Sequence, residues 1–413
     1  MKQIHDIEIM APVGCWESLA AAIEAGATSV YFGIEHLNMR ARSSANFTTQ
    51  DLHTIVERCQ AAGVKTYLTL NTVMYPEDLP LMREIVDHAK QAGLSAIIAS
   101  DIAVLQYANE VGVEVHLSTQ LNISNTEALK FYAQFADVVV LARELNMDQV
   151  ASIYRDIVEQ DIRGPKGELI RIEMFCHGAL CMAVSGKCYL SLNNLGASAN
   201  RGACMQICRR GYIVKDKESE LELAVDNQYI MSPKDLKTIH FLNKMLDAGV
   251  RVLKIEGRAR GGEYVKRVVE AYDKALRFIE AGEYTRENAE QLKEGLLRVF
   301  NRGFWGGYYA HKRIVEHTNA YGSSATHRKE YVGKITNYFK NIGVAEITVE
   351  ASTLAEGDDI LIMGETTGVV EQKAENIVLN EQVVEGVKQG DVCSIKTVEV
   401  VRRGDKLYKE VLR

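Results

Sequence analysis

The sequence predicts a (β/α)8 barrel carrying a Cys-rich insert and followed by a small all-β barrel domain. Three observations carry that expectation. From residue 7 to about 275, eight short β-rich runs alternate with amphipathic helical stretches. Several of these runs are almost continuously apolar, as strands buried on both faces are. Beyond residue 331 the helical stretches stop, and short strands follow one another with turn residues between them. A doubly wound open sheet would show the same alternation, and the count of eight favours closure.

The first run, IEIMAPV (7–13), leads into WESLAAAIEAGA, whose apolar stripe at helical spacing ends at Gly26. SVYFGI (29–34) is the second strand, and TTQDLHTIVERCQAAGV is a helix ending at Gly63. KTYLTLN (65–71), AIIAS (96–100), EVHLSTQ (114–120) and DVVVLAR (137–143) continue the series. A glycine just before a strand recurs at Gly93 and Gly249, marking helices that hand over to strands. RIEMFCH (171–177) is the seventh strand and VLKIEGR (252–258) the eighth. Residues 178–230 interrupt the rhythm with a Gly-, Asn- and Cys-rich insert, which ends before a helix expected from near Ser232. A helical region at about 263–302 and the polar connection YGSSATHRKE (321–330) lead to the β unit. We place the domain boundary near 325, giving units of 1–325 and 326–413.

The bulk numbers bound the function. A chain of 413 residues exceeds one ordinary core, and 47% apolar with 25% charged residues is a globular composition. The formal net charge of -7 repels phosphate, so a nucleic-acid partner needs a local basic groove. No stretch approaches a membrane span, and MKQIHDIEIMAPVG lacks a long apolar run, so a cytoplasmic protein is expected. In that compartment clustered cysteines bind metal more often than they form disulfides.

Five of the eight cysteines fall within 33 residues, and from Cys181 they follow C-x6-C-x15-C-x3-C through Cys188, Cys204 and Cys208. Four thiolates fit either a tetrahedral zinc or a cubane iron–sulfur cluster, and the spacing is the usual signature of neither. Cys176 lies within a strand and reads as packing, as do the scattered Cys15, Cys59 and Cys393. Chemistry in a (β/α)8 barrel sits at the C-terminal ends of its strands. The polar residues there include Arg40, Arg42, Asn71, His116, Gln120, Arg143, His177, Glu256 and Arg258. The arginines suit a small anionic metabolite or an RNA phosphate, or else brace the rim against Glu144, Glu173 and Glu256. There is no H-E-x-x-H, G-x-S-x-G, P-loop or dinucleotide fingerprint. A thiol protease built from Cys181 and His177 would have to spare a thiolate from the metal.

EMFCHGALCMAVSGKCYLS (173–191) resembles the signature of the collagenase-like peptidase family at Glu173, Phe175, Gly178, Cys181, Gly186, Cys188 and Ser191. MAPVG (10–14), HLSTQLNISN (116–125), RGACMQICRR (201–210), YIMSPKDLKTI (229–239) and LKIEGR (253–258) resemble its bacterial tRNA-hydroxylation branch. The resemblance implies an oxygen-labile iron–sulfur cluster, of 4Fe-4S type, on Cys181, Cys188, Cys204 and Cys208. It also implies oxygen-independent hydroxylation of a tRNA wobble uridine, an rRNA cytidine or a quinone precursor, with prephenate as a required metabolite. On that reading Arg40, Arg42, Asn71, His116, Gln120 and Arg143 bind substrate, and His177, Glu256 and Arg258 are catalytic. The partners are then tRNA and the metabolite, with no membrane; a collagen peptidase is the alternative. The long extra segment that some members insert after RGACMQICRR is missing here.

Overall fold

The computed structural model describes residues 6–42, 45–213, 229–310 and 315–413. Its first body is a closed barrel of eight parallel strands. They are β1 (Glu8–Pro12), β2 (Ser29–Phe32), β3 (Lys65–Leu70), β4 (Ala96–Ala99), β5 (Val115–Leu117), β6 (Val138–Val140), β7 (Arg171–Gly178) and, after the short β8 (Asp235–Lys237), β9 (Val250–Ile255). Each pairs in parallel with the next, and β9 pairs with both β7 and β1, so no edge is left. All eight strands expected from the sequence are the eight of the barrel.

Side chains alternate between two environments, as the period of a strand demands. One set, including Ile9, Val30, Phe32, Leu68, Ile97 and Val139, joins the large core between strands and helices. The other set, Met10, Tyr31, Tyr67, Ala96, Ile98, Val138 and Val252, forms a separate cluster of buried residues. The outer helices are α1 (Trp16–Glu24), α2 (Leu52–Ala61), α3 (Leu79–Gln91), α4 (Ile102–Val111), α5 (Thr126–Ala133) and α6 (Met147–Glu159). Local chemistry sets their ends. The Asp101 carboxylate accepts from the Ala103 amide at 3.0 Å, Asn125 caps Ala128 at 2.9 Å, and Asn146 and Gln149 cap each other's amides.

The tail of β7 departs from a simple barrel. His177 and Gly178 pair antiparallel with Lys237 and Leu236 of β8, and β8 in turn pairs with β10 (Phe304–Trp305). The helix expected from near Ser232 is therefore absent: the Thr238 amide donates to the Cys176 carbonyl at 3.1 Å, committing this backbone to β7. After α7 (Leu190–Leu195) in the insert, the next helices are α8 (Leu242–Asp247), α9 (Gly262–Ala281) and α10 (Arg286–Arg298). Part of the 178–230 insert, residues 214–228, lies outside the described residues.

From His327 onward the chain is antiparallel β-sheet, eight strands in one sheet and two in a ribbon, around buried Val332, Ile335, Ile347, Ile362, Ile395 and Leu407. This unit leans on the barrel through α1 and α9. There the Arg267 guanidinium forks between Glu371 at 3.0 Å and Glu410 at 2.7 Å. No helix among the described residues is long and apolar enough to cross a membrane.

Candidate active site

The segment after β9 shows how the fold aims charge. Lys254, Glu256 and Arg258 stand two residues apart, and all three line one cavity at the C-terminal ends of the strands. Three glycines make room for them. A Cβ on Gly178 would sit 2.2 Å from the Glu256 carbonyl oxygen, and one on Gly14 2.3 Å from that of Arg258. A Cβ on Gly33 would sit 2.5 Å from Arg258 Nη1. The strand-end loop is thus gripped by the ends of β7 and β1, at distances only glycine permits.

Within the cavity, Arg40 Nη2 lies 3.2 Å from Glu256 Oε1, and the Tyr31 hydroxyl lies 3.2 Å from Glu256 Oε2. Arg258 donates to Thr69 Oγ1 at 2.8 Å. Burial pushes the Glu256 carboxyl upward, yet Arg40, Arg143 and Arg258 together hold it below the ordinary carboxylate range. Burial pushes Arg258 down to about 10. Arg143 lies 3.9 Å from the Phe175 ring centroid and has no carboxylate partner among the described residues. Asn71 and Gln120 form a polar wall: Asn71 Nδ2 donates to Ser118 Oγ and Gln120 Oε1 at 3.3 Å each, and Gln120 Nε2 donates to the Asn71 carbonyl at 2.9 Å.

The insert closes over this wall. Cys181, Cys188, Cys204 and Cys208 all line the same cavity as Arg40 and Glu256. Its backbone is tied down at several points. The Arg42 amide donates to the Gly202 carbonyl at 3.1 Å, and Asn122 Nδ2 to that of Ser185 at 2.9 Å. Arg209 donates to the Pro233 carbonyl at 2.9 Å and Ser232 Oγ at 3.0 Å, and also reaches the Leu180 carbonyl. Gly202 has φ +84, and a Cβ there would lie 2.5 Å from the Asn38 carbonyl oxygen, so glycine is needed for the insert to seat. The cysteines feel one another: burial raises the Cys208 thiol, and Cys181, Cys204 and Cys188 add to that rise against Arg209.

The donor set is sulfur alone, and among the described residues no three His, Cys, Asp or Glu side chains stand close enough to hold a single metal ion. One tetrahedral zinc gathers its sulfurs to roughly 3.8 Å of one another, whereas a cubane holds four thiolates at the corners of a wider body. Four thiols lining one cavity are a donor set that suits either a cubane cluster or a structural metal.

Not every strand-end residue reaches this cavity. His177 is buried away from it, its ring among Tyr272 at 5.7 Å, Tyr264 at 6.1 Å and Phe304 at 5.5 Å between centroids. The irregularity between Phe175 and His177 on β7 turns it toward α9. Burial, with Lys237 beside it, pushes its pKa to about 3. A proton-transfer role at the cavity does not suit that position. His116 also lies off the cavity, between Glu114 at 3.4 Å and Glu173 at 3.8 Å. The Arg42 side chain is exposed and off the cavity wall. Lys254 lines the cavity although it stands within β9, and Tyr31 of β2 and Arg209 of the insert line it too, none of them a strand-end candidate. Lys254 pairs with Glu173 at 2.6 Å, and the signal for it was a charged residue inside the apolar run VLKI, in phase with Glu256 and Arg258.

Comparison with known proteins places these features in context. The family model described as peptidase family U32 matches residues 14–319. A protein of Porphyromonas gingivalis strain W83 named collagenase is 63% identical over 406 residues, 98% of each chain. The tRNA hydroxylation protein P1 of Bacillus subtilis is 30% identical over 372 residues, 86% of this chain and 83% of its own. The 23S rRNA 5-hydroxycytidine C2501 synthase of Escherichia coli is 33% identical over 306 residues, 72% of this chain and 44% of its own.

Proposed function

The chain belongs to peptidase family U32, and from that premise we propose that it is an iron–sulfur RNA-modifying enzyme that helps install the 5-hydroxyl of a tRNA wobble uridine without dioxygen. Relatives in the family are named both for tRNA and rRNA hydroxylation and as collagenases. The observation that carries our choice is the cavity, where four cysteine thiols, four arginines and one carboxylate share a single space at the barrel mouth.

Cys181, Cys188, Cys204 and Cys208 would hold a 4Fe-4S cluster, which supplies one-electron chemistry when bound. The rest is the work of this chain's own side chains. Arg143 and Arg258 present guanidinium forks to a small anionic metabolite of the prephenate type, whose carboxylates match their geometry. Arg40 divides its charge between Glu256 and the thiols, so it orients the metabolite without saturating it. Glu256 is ionised and accepts from Tyr31, which makes its carboxylate the proton acceptor nearest the metabolite site. Asn71 and Gln120, locked to each other, offer fixed amides to a base edge.

A peptidase reading rests on the name of the 63% identical relative. Among the described residues no histidine lines the thiol cavity, so the Cys–His pair of a thiol protease does not form there. Nucleoside mass spectrometry of tRNA from a deletion strain tests the proposal: 5-hydroxyuridine derivatives should disappear and return with the wild-type gene. Unchanged modification, together with peptide hydrolysis by anaerobically purified protein, would replace it with the peptidase.

A further inference from the structure

The described part of the insert differs from the rest of the surface in both charge and polarity. Residues 178–213 contain Lys187, Arg201, Arg209 and Arg210 and no Asp or Glu, in a chain whose formal net charge is -7. The same stretch exposes Met182, Val184, Tyr189, Leu192, Leu195 and Met205, with Tyr189 68% exposed. Single exposed apolar residues need no explanation, but six in one short stretch do, and two of them, Met182 and Val184, line the cavity. Their placement relative to the cavity is specific. Tyr189 directly follows the cavity-lining Cys188, and Lys187 directly precedes it. Arg210 directly follows the cavity-lining Arg209. Lys187 and Arg210 are exposed and carry no ion pair among the described residues.

Beside the insert a second aromatic is held by one of the insert's own arginines. The Arg201 guanidinium lies 4.0 Å from the Tyr75 ring centroid, fixed there by Asp78 and by the Val73 carbonyl at 2.8 Å. Tyr75 is 47% exposed, so its other side faces solvent. Exposed π-faces beside cations without an ion pair are what an unstacked nucleic-acid strand needs, since every base has a face to stack and every linkage a charge to neutralise. A paired duplex offers its bases no such contact.

Resting on the RNA-modifying reading, we propose that the insert rim is the docking surface for an unpaired RNA loop, with bases stacking on Tyr189 and Tyr75 and phosphates on Lys187 and Arg210. The loop would then lie beside the cavity that the thiols line. The surface commits the enzyme to single-stranded RNA and leaves the choice of nucleotide to the cavity below.

Fluorescence anisotropy of the anaerobically purified full chain tests this, with a short RNA hairpin bearing an unpaired loop and a fully paired RNA duplex of the same length. The hairpin should bind more tightly than the duplex, and Tyr189→Ala should weaken it about ten-fold while Tyr189→Phe does not. Lys187→Glu with Arg210→Glu should weaken it further and flatten its salt dependence. Hairpin binding unchanged by Tyr189→Ala and by the Lys187→Glu, Arg210→Glu double variant would overturn the rim even if the deletion strain loses 5-hydroxyuridine, in which case RNA docks elsewhere. Binding of a labelled acidic peptide, with no binding of either RNA, would also overturn it, in favour of a protein partner. Rim-dependent binding with unchanged tRNA modification in the deletion strain would leave the rim standing and remove the hydroxylation reading.

Discussion

Lys254 donates to Glu173 across 2.6 Å inside the barrel, both side chains almost wholly buried, and the other Glu173 oxygen faces His116 Nδ1 at 3.8 Å. This triad joins the cavity floor to the lower barrel, where Glu114 holds His116 at 3.4 Å and Lys166 from the loop above β7's start. Removing one member of a buried, hydrogen-bonded pair strands the other charge. Lys254→Met is therefore expected to cost about 3–5 kcal/mol in denaturant unfolding. A double variant, Lys254→Met with Glu173→Leu, should recover much of that loss. A loss in the double variant equal to the sum of the Lys254→Met and Glu173→Leu losses would show that the pair is not coupled.

The same network gives stability a pH dependence with two sides. Burial works against the charged form of His116, but Glu114 and Glu173 outweigh it and raise its pKa. A histidine raised above about 6.5 contributes fully below that pH and loses its contribution as pH climbs through the folded value. Glu173 is lowered despite burial, chiefly by Lys254, and Glu114 falls to about 2 through His116 and Lys166. Their contributions are present above about 4.5 and are lost as the solution is acidified. The melting temperature of the wild type should therefore decline above neutrality more steeply than that of His116→Gln. Parallel curves on the alkaline side would mean that His116 is neutral throughout.

The reach of sequence reasoning into this molecule depended on how local each signal was. The eight barrel strands were legible because a parallel strand buried on both faces is written as a contiguous apolar run, and IEIMAPV or DVVVLAR needs no partner to be recognised. The cysteine quartet was legible for the same reason, as spacing within one segment. His177 was misplaced because its direction depends on a register shift in β7 that only pairing with β8 and β9 creates. Lys254 was passed over because its partner, Glu173, is 81 residues away. A pairing of that separation leaves no local pattern.

Iron should follow the four cavity cysteines and no others. Anaerobic preparations are expected to be brown and to contain iron and sulfide. Cys181→Ser or Cys204→Ser should lose most of both, whereas Cys59→Ser and Cys393→Ser, buried in cores far from the cavity lining, should keep them. Chemical analysis with visible absorption decides it. Colourless wild-type protein containing only zinc would remove the redox chemistry and leave a structural metal.

The β unit is expected to depend on Arg267 for its seat against the barrel. That guanidinium satisfies Glu410, which is itself almost fully buried, and Glu371 at the same time. Arg267→Met would bury the Glu410 carboxylate with only Arg298 left beside it. We expect a loss of about 3 kcal/mol or more, and a melting profile split into two transitions as the β unit releases first. Calorimetry of the variant checks it, and a single unshifted transition would show that apolar contacts alone hold the seat.

The final prediction concerns Gly33, where function and stability can be separated. Its φ is ordinary, so alanine strains nothing in the backbone; what it meets is Arg258 Nη1 at 2.5 Å and Asn38 Cγ at 2.7 Å. Arg258 is held by one bond to Thr69 Oγ1 at 2.8 Å, and the Asn38 Oδ1 accepts from the Arg40 amide at 3.0 Å. Either neighbour that yields moves an arginine of the cavity. Gly33→Ala is thus expected to cost only about 1–3 kcal/mol of stability as an overpacked site, while abolishing tRNA 5-hydroxylation in the cell. Gly63→Ala is the control. It forces an alanine to φ +69 at the end of α2 with nothing within 4 Å, so it costs about 1 kcal/mol and should leave modification intact. If both variants melt early but modify tRNA alike, the position of Arg258 does not matter to the reaction, and the arginine cradle loses its role.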